Sequence, residues 1–226
     1  VYDATSTMKT SRNTWAECVE YVSHQCDSIV QLNVLPVRRT GQENGRASSA
    51  AALGLKARVC LYAASPLFNG SDFAPTDTKE LVGYPSYDKE RWKLAINACE
   101  EFFTALNSNG YYKLVESGDN GTSTERQAFT SGYFDRGTTE TLISVRRGIL
   151  SPAKNDVLSK SIRWGGYCPT KEYFDMFQMA DGTDFDWNNP EHAKNPFLNR
   201  DPRLYETFIL DGDDFNGRKA GLTEPD

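Results

Sequence analysis

Gly45-Arg46-Ala47-Ser48-Ser49-Ala50-Ala51-Ala52-Leu53-Gly54-Leu55-Lys56-Ala57-Arg58-Val59-Cys60-Leu61-Tyr62-Ala63-Ala64-Ser65-Pro66 decides how this chain folds. Alanine loses no side-chain entropy in a helix and has the highest helix propensity. The spacing predicts a helix over 48–64, with Ser48 or Ser49 as N-cap and Pro66 as the stop. Leu53, Ala57, Cys60, Leu61 and Ala64 form one stripe, and side chains this small let neighbouring helices approach closely.

Two further helices lie on either side. Trp15, Cys18, Val19, Val22, Cys26 and Ile29 recur at helical spacing and predict a helix over 13–31, capped by Asn13 or Thr14. Trp92, Ala95, Ile96, Cys99, Phe102, Phe103 and Leu106 do the same over 88–106, with Asp88 as cap and Gly110 past the end. The set Trp92-x-x-Ala95-Ile96-x-x-Cys99 shares its offsets with Trp15, Cys18, Val19 and Val22, and with Leu53, Lys56, Ala57 and Cys60. That is a tetratricopeptide-like pattern with a period of about 38 residues, longer than the usual 34. Three ordinary amphipathic helices would give the same spacing, so both readings stand at this point.

Beyond Tyr111-Tyr112-Lys113-Leu114-Val115 the chain changes character. Residues 118–137 are rich in Gly, Ser, Thr and Asp and read as a long loop. Thr141 to Val145 alternates like a short strand, 149–166 is irregular, and 170–179 reads as a short helix capped by Thr170. Asp201-Pro202 is an N-cap followed by proline at the first helical position. Thr207 to Leu210 reads as a strand that ends at the Asp211-Gly212 turn. The expected architecture is mainly α: a tetratricopeptide-like scaffold over 12–115, then a loop-rich ligand-binding portion with short strands over 116–226.

Bulk properties narrow the function. A formal charge of −6 over 226 residues argues against a nucleic-acid partner, which would need a basic face. No apolar run reaches the length of a membrane span. The five cysteines include no Cys-x-x-Cys pair, and His24 and His192 stand at no ligand spacing from a thiol pair, so neither zinc nor another metal is expected. Cys18, Cys60 and Cys99 fall on apolar helix faces and read as buried free thiols. Asp184-x-Asp186-x-Asn188 opens like a calcium loop. Asn189 and Asn195 stand where the glycine and glutamate belong, so an Asx-rich turn is the better reading. No nucleophile elbow, zinc-protease motif or phosphate loop occurs, and no cofactor is implied. The chain starts at Val1 and shows no signal peptide, so it reads as part of something longer.

The ordered set of motifs resembles the SusD/RagB family of outer-membrane nutrient-binding lipoproteins. It comprises Leu35-Pro36, Gly45-Arg46 with its Ala-rich helix, the Trp92 helix, Tyr111-Tyr112-x-Leu114 and the Thr139–Val145 segment. Pro169-Thr170-x-Glu172-x-x-Asp175-Met176-Phe177 and Arg200-Asp201-Pro202-Arg203 complete it. The resemblance implies a helical scaffold that binds glycans without catalysis. It also implies delivery to a TonB-dependent SusC-like transporter and an outer-membrane, cell-surface location. The lipid anchor would lie outside this chain.

Sugar recognition needs flat aromatic faces and a few planar polar groups. Trp164-Gly165-Gly166-Tyr167 supplies the rings on a glycine-freed loop, although both rings would serve equally to plug a core. Tyr133 and Arg136 form a second cluster with Phe134 and Asp135, and Trp187 lies among Asp and Asn residues. Arg200, Asp201 and Arg203 read as structural: a helix cap and two cations that pair with carboxylates or carbonyls. Arg46 reads as a loop tie. Two other classes share the scaffold: a glycoside hydrolase, which would release product from polysaccharide, and a protein-only adaptor, which would bind no glycan.

Overall fold

Thr14 opens the first helix with a reciprocal cap. Its hydroxyl accepts from the Glu17 amide, and Glu17 accepts from the Thr14 amide at 2.8 Å. The computed structural model describes residues 11–70, 72–144, 168–215 and 217–221. It is mainly α-helical. Contacts divide it into two compact units, Val1–Leu114 with Thr139–Arg146, and Val115–Thr138 with Arg147–Asp226.

The first unit holds α1 (Trp15–Gln31), α2 (Ser49–Ala64), α3 (Lys79–Val82) and α4 (Glu90–Asn109). Ser48 caps α2 by accepting from the Ala51 amide at 3.2 Å. Asp88 caps α4 from one residue outside it, accepting from the Glu90 amide at 2.9 Å. Helix α2 packs against both α1 and α4. Its sequence prepares it for that central place. Ala50, Ala52, Leu53, Ala57, Ala63 and Ala64 are all buried, as are Ala95 and Ala98 of α4. A helix covered on two sides needs small apolar residues around much of its girth rather than one stripe.

Polar groups pin the same three helices. Lys56 of α2 reaches Asp27 of α1 at 2.5 Å and Glu101 of α4 at 2.7 Å. Desolvation lowers the Lys56 pKa, but the two carboxylates outweigh it and hold the ammonium above its usual value. A raised lysine pKa gives stability that is complete below the unfolded value, about 10.4. That stability is lost as pH rises through the folded value, so the lysine side of the bridge holds throughout the neutral range and is lost in strong alkali. Lys56→Met is expected to cost roughly 1–2 kcal/mol, since the bridge is only partly buried. Urea unfolding at pH 7 checks this, and a loss below about 0.3 kcal/mol would reject the bridge as a stabilising element.

Asn69 is the second pin and is almost fully buried. Its amide donates to the carbonyls of Ala64 and Asp88 and accepts from the Asp88 amide and Arg91. It thereby ties the end of α2 to the start of α4 with every polar atom satisfied. Trp15 stacks flat on Phe68, with centroids 4.3 Å apart.

Several expectations need correction. Thr141 to Ser144 forms no strand. The Ser144 amide donates once, to Gly45, and Leu142 packs toward Gly54 instead of joining a ladder. Residues 118–137 are not one long loop, because Glu125–Phe134 is a helix, α5. Thr124 caps it by accepting from the Gln127 amide, while the Gln127 side chain reaches back to Ser123. The short helix after Thr170 ends at Asp175 rather than 179 and is α6 (Lys171–Asp175). Thr207 closes a helix, and 208–210 pairs with no strand. The described strands are Asp214–Phe215 and Arg218–Lys219, an antiparallel hairpin. Cys18 is exposed, since it falls beside the α1 stripe that carries Val22 and buried Cys26. Residues 149–166 lie outside the described residues.

Candidate functional site

In the second unit, α7 (Pro190–Lys194) and α8 (Pro202–Thr207) follow α6, each with proline in its first turn. Asn189 and Asp201 cap them. Arg200, just ahead of α8, is 1 % exposed. Its guanidinium donates to the carbonyls of Pro196, Phe174 and Phe177 at 2.8, 3.1 and 2.5 Å, and its Nε donates to Gln178 at 3.4 Å. The rings of Phe174 and Phe185 flank it at 4.5 and 4.0 Å. Burial lowers its pKa, but an arginine stays charged at any ordinary pH. Arg200 thus organises the loops around an aromatic cluster of Phe174, Phe177, Phe197 and Phe208. The structural reading of this motif agrees with that geometry.

Around this cluster the surface is hollowed along α5 and α8, which pack together. One cleft of ≈700 Å³ is lined by Thr124, Gln127, Thr130, Ser131, Asp135 and Glu206. Its wall is rigid. Glu206 binds Arg126 and accepts from Thr130 at 2.9 Å, and Ser131 donates to Asp135 at 2.6 Å. A neighbouring hollow of ≈410 Å³ shares Arg126 and Glu206 and runs on to Phe208, Asp213 and Asp214. A third, of ≈320 Å³, shares Thr207 with the second and has an aromatic floor that includes Phe129 and Tyr173.

Trp164 and Tyr167 lie outside the described residues. Tyr133 lies in the last turn of α5 and is 77 % exposed, edge-on to the similarly open Phe134 ring at 4.9 Å. Neither ring is anchored in a core. Arg136 follows on the exposed chain beyond α5. Trp187 is half tied. Its indole N–H donates to Asp175 at 2.8 Å, Lys171 covers one face at 4.6 Å and Phe185 meets it edge-on. It remains 40 % exposed. The hydrogen bonds from Lys171 and then Trp187 hold the Asp175 carboxyl below the usual carboxylate range. The structure therefore brings Trp187 to the α6 end and Tyr133 to the α5 end.

The 184–189 segment is a set of Asx turns. Asp186 accepts from the Asn188 amide at 2.8 Å and Asn189 from the Glu191 amide at 3.0 Å. Among the described residues no group of His, Cys, Asp and Glu is placed to hold a metal ion. His192 lies in α7. Its Nδ1 accepts from the Asp186 amide, and its ring stacks on Phe185. No described helix is long and apolar enough to cross a membrane.

Residues 129–224 match the model of the SusD family. A SusD-like protein (BF3747) from Bacteroides fragilis NCTC 9343 overlays with a TM-score of 0.63 at 21% identity, over 94% of this chain and 38% of that one. The selenomethionine form of BT4246 gives 0.50 at 20% identity, over 88% and 42%. A further BT4246 chain is 34% identical over 51% of this chain and 21% of its own, with a TM-score of 0.40. No curated protein matches. The chain spans less than half the length of these solved structures.

Proposed function

From the match of residues 129–224 to the SusD family model and the SusD-like fold, we propose that the chain is part of a SusD/RagB-type cell-surface protein that captures oligosaccharide nutrients without cutting them. The family match over 129–224 carries this reading, because that span holds every lining residue of the third, ring-floored hollow. Delivery to a TonB-dependent SusC-like transporter, a lipid anchor beyond this chain and an outer-membrane location belong to the same proposal. Glycan capture of this kind works by stacking and by hydrogen bonds to hydroxyls, so it needs no net charge and no metal.

The contact residues we assign are Trp164, Tyr167, Tyr133, Arg136 and Trp187. Tyr133 gives the cleanest test, since its exposed ring contributes little to the fold. Tyr133→Ala is expected to weaken glycan binding about three- to tenfold, the worth of one stacking contact, with the melting temperature unchanged. Trp187→Ala should lower both affinity and local stability, because it also removes the bond to Asp175. Affinity electrophoresis of the full-length protein in polysaccharide gels reads both. Unretarded migration of the unmutated protein across a broad polysaccharide series would defeat the binding reading. Product release in the same gels would convert it to a hydrolase.

A further inference from the structure

We propose that the third hollow, bounded by α5, α6 and α8, is a separate subsite that takes one neutral pyranose ring of a bound chain. It rests on the glycan-binding reading above. At ≈320 Å³ it stands at the small end of ligand pockets, which run from about 300 to 1,000 Å³, so it fits a single ring rather than a length of chain.

Its floor is aromatic and open. Phe129 comes from α5, and Tyr173 and Phe177 come one turn apart from α6 and its end. Tyr173 and Phe177 meet edge-on at 5.4 Å, which fixes both planes. Phe129, Tyr173 and the adjoining Met176 are all exposed at this surface, so C–H faces of a sugar have something flat to cover.

The rim supplies one donor and one acceptor already held in place. Arg203 lies against Asp201, with Nε at 3.0 and 3.1 Å from the two carboxylate oxygens and Nη2 at 2.5 Å from one. Those bonds hold the Asp201 carboxyl below the usual range. They leave the Nη1 edge of the guanidinium without a partner among the described residues. Gln178 donates its Nε2 to Asp184 at 3.0 Å, which leaves Oε1 to accept. The Gln178 backbone is itself fixed, because its carbonyl receives the Asp201 amide at 2.9 Å. A ligand that needs a ring floor, a donor and an acceptor meets all three without ordering a loose side chain.

The charge balance selects the ligand class. Asp201 cancels Arg203, so the rim offers a directed N–H rather than a cation, and a neutral sugar suits it better than a uronate. Phosphate and sulfate esters are disfavoured for the same reason.

The test is calorimetric titration of the full-length protein with neutral hexasaccharides of cellulose, xylan, mannan and amylose, and with hexagalacturonate. Tyr173→Ala should weaken the neutral ligand that binds by about tenfold. Arg203→Lys should weaken it several-fold, because an ammonium cannot span Asp201 and still point a donor at the ring. Arg203 is mostly exposed, so this second variant keeps the fold if Tyr173→Ala does not. Raising the salt concentration should change affinity little. Unchanged affinity in folded Arg203→Lys and Tyr173→Ala proteins would overturn the subsite while leaving glycan capture intact. Selective binding of hexagalacturonate would also overturn it. Failure of the unmutated protein to bind any of the five ligands would count against both the subsite and the capture reading.

Discussion

Arg200→Met is expected to cost about 4 kcal/mol and to loosen the loops around α6 and α8. The estimate follows from what the guanidinium leaves behind. The Pro196 and Phe177 carbonyls have no other donor among the described residues, while those of Phe174 and Gln178 keep one backbone amide each. Two part-buried acceptors stranded at about 1–3 kcal/mol each account for most of the loss. The contacts with Phe174 and Phe185 add about 1 kcal/mol. Arg200→Lys should recover little, since one ammonium cannot reach carbonyls that diverge around a planar fork. Native domains are stable by only about 5–15 kcal/mol, so this single change removes a large share. Urea unfolding gives the magnitude, and hydrogen exchange over 174–208 locates it. An unchanged midpoint would show that the four carbonyls are satisfied some other way. Because arginine does not titrate in the usual range, the loss should be the same at pH 5 and pH 9.

The helical half was legible because its signals are local. Thr14, Ser48 and Thr170 each stand where a cap is needed, and each caps as its residue type suggests. The helices α1, α2 and α4 follow from periodicity, but their expected stripes hold only in part: Leu53, Ala57, Ala64 and Ala95 are buried, while Leu61, Ile96 and Phe103 are exposed. The second half was harder for a physical reason. Helix α5 carries Gly, Ser and Thr inside a polar stretch, and composition hides it. The Ser123-Thr124…Gln127 cap was the signal that marks its start. The strand expected at 141–145 has the right alternation, but alternation does not supply a partner, and over the described residues 141–144 Leu142 packs toward Gly54. The candidate site was legible only in its residue types. That Tyr133 is open while Trp187 is tied to Asp175 depends on tertiary contacts no spacing records. Phe129, Tyr173 and Arg203 meet across 74 positions of sequence, and their grouping becomes visible only once α5 and α8 pack.

The close approach at Gly54 yields the second large effect. A Cβ built there lies 3.0 Å from Leu142 Cδ1 and 3.3 Å from Phe102 Cε2 of α4. Both neighbours are side-chain tips, which can yield by a few tenths of an ångström. Gly54→Ala also gains helix propensity of about 1 kcal/mol, so the two effects nearly cancel and stability should stay within about 1 kcal/mol of the original. Gly54→Leu asks for far more room. Helix α2 cannot retreat, because α1 packs against it as well. Overpacking at such a site is expected to cost about 3 kcal/mol. The pair separates a steric cause from a general intolerance of substitution. If crowding against Phe102 is the reason, then Phe102→Ala in the Gly54→Leu background should restore half or more of the loss, although Phe102→Ala alone destabilises. Thermal and urea unfolding of the four proteins close the cycle. Additive losses would show that α2 and α4 do not meet at this point.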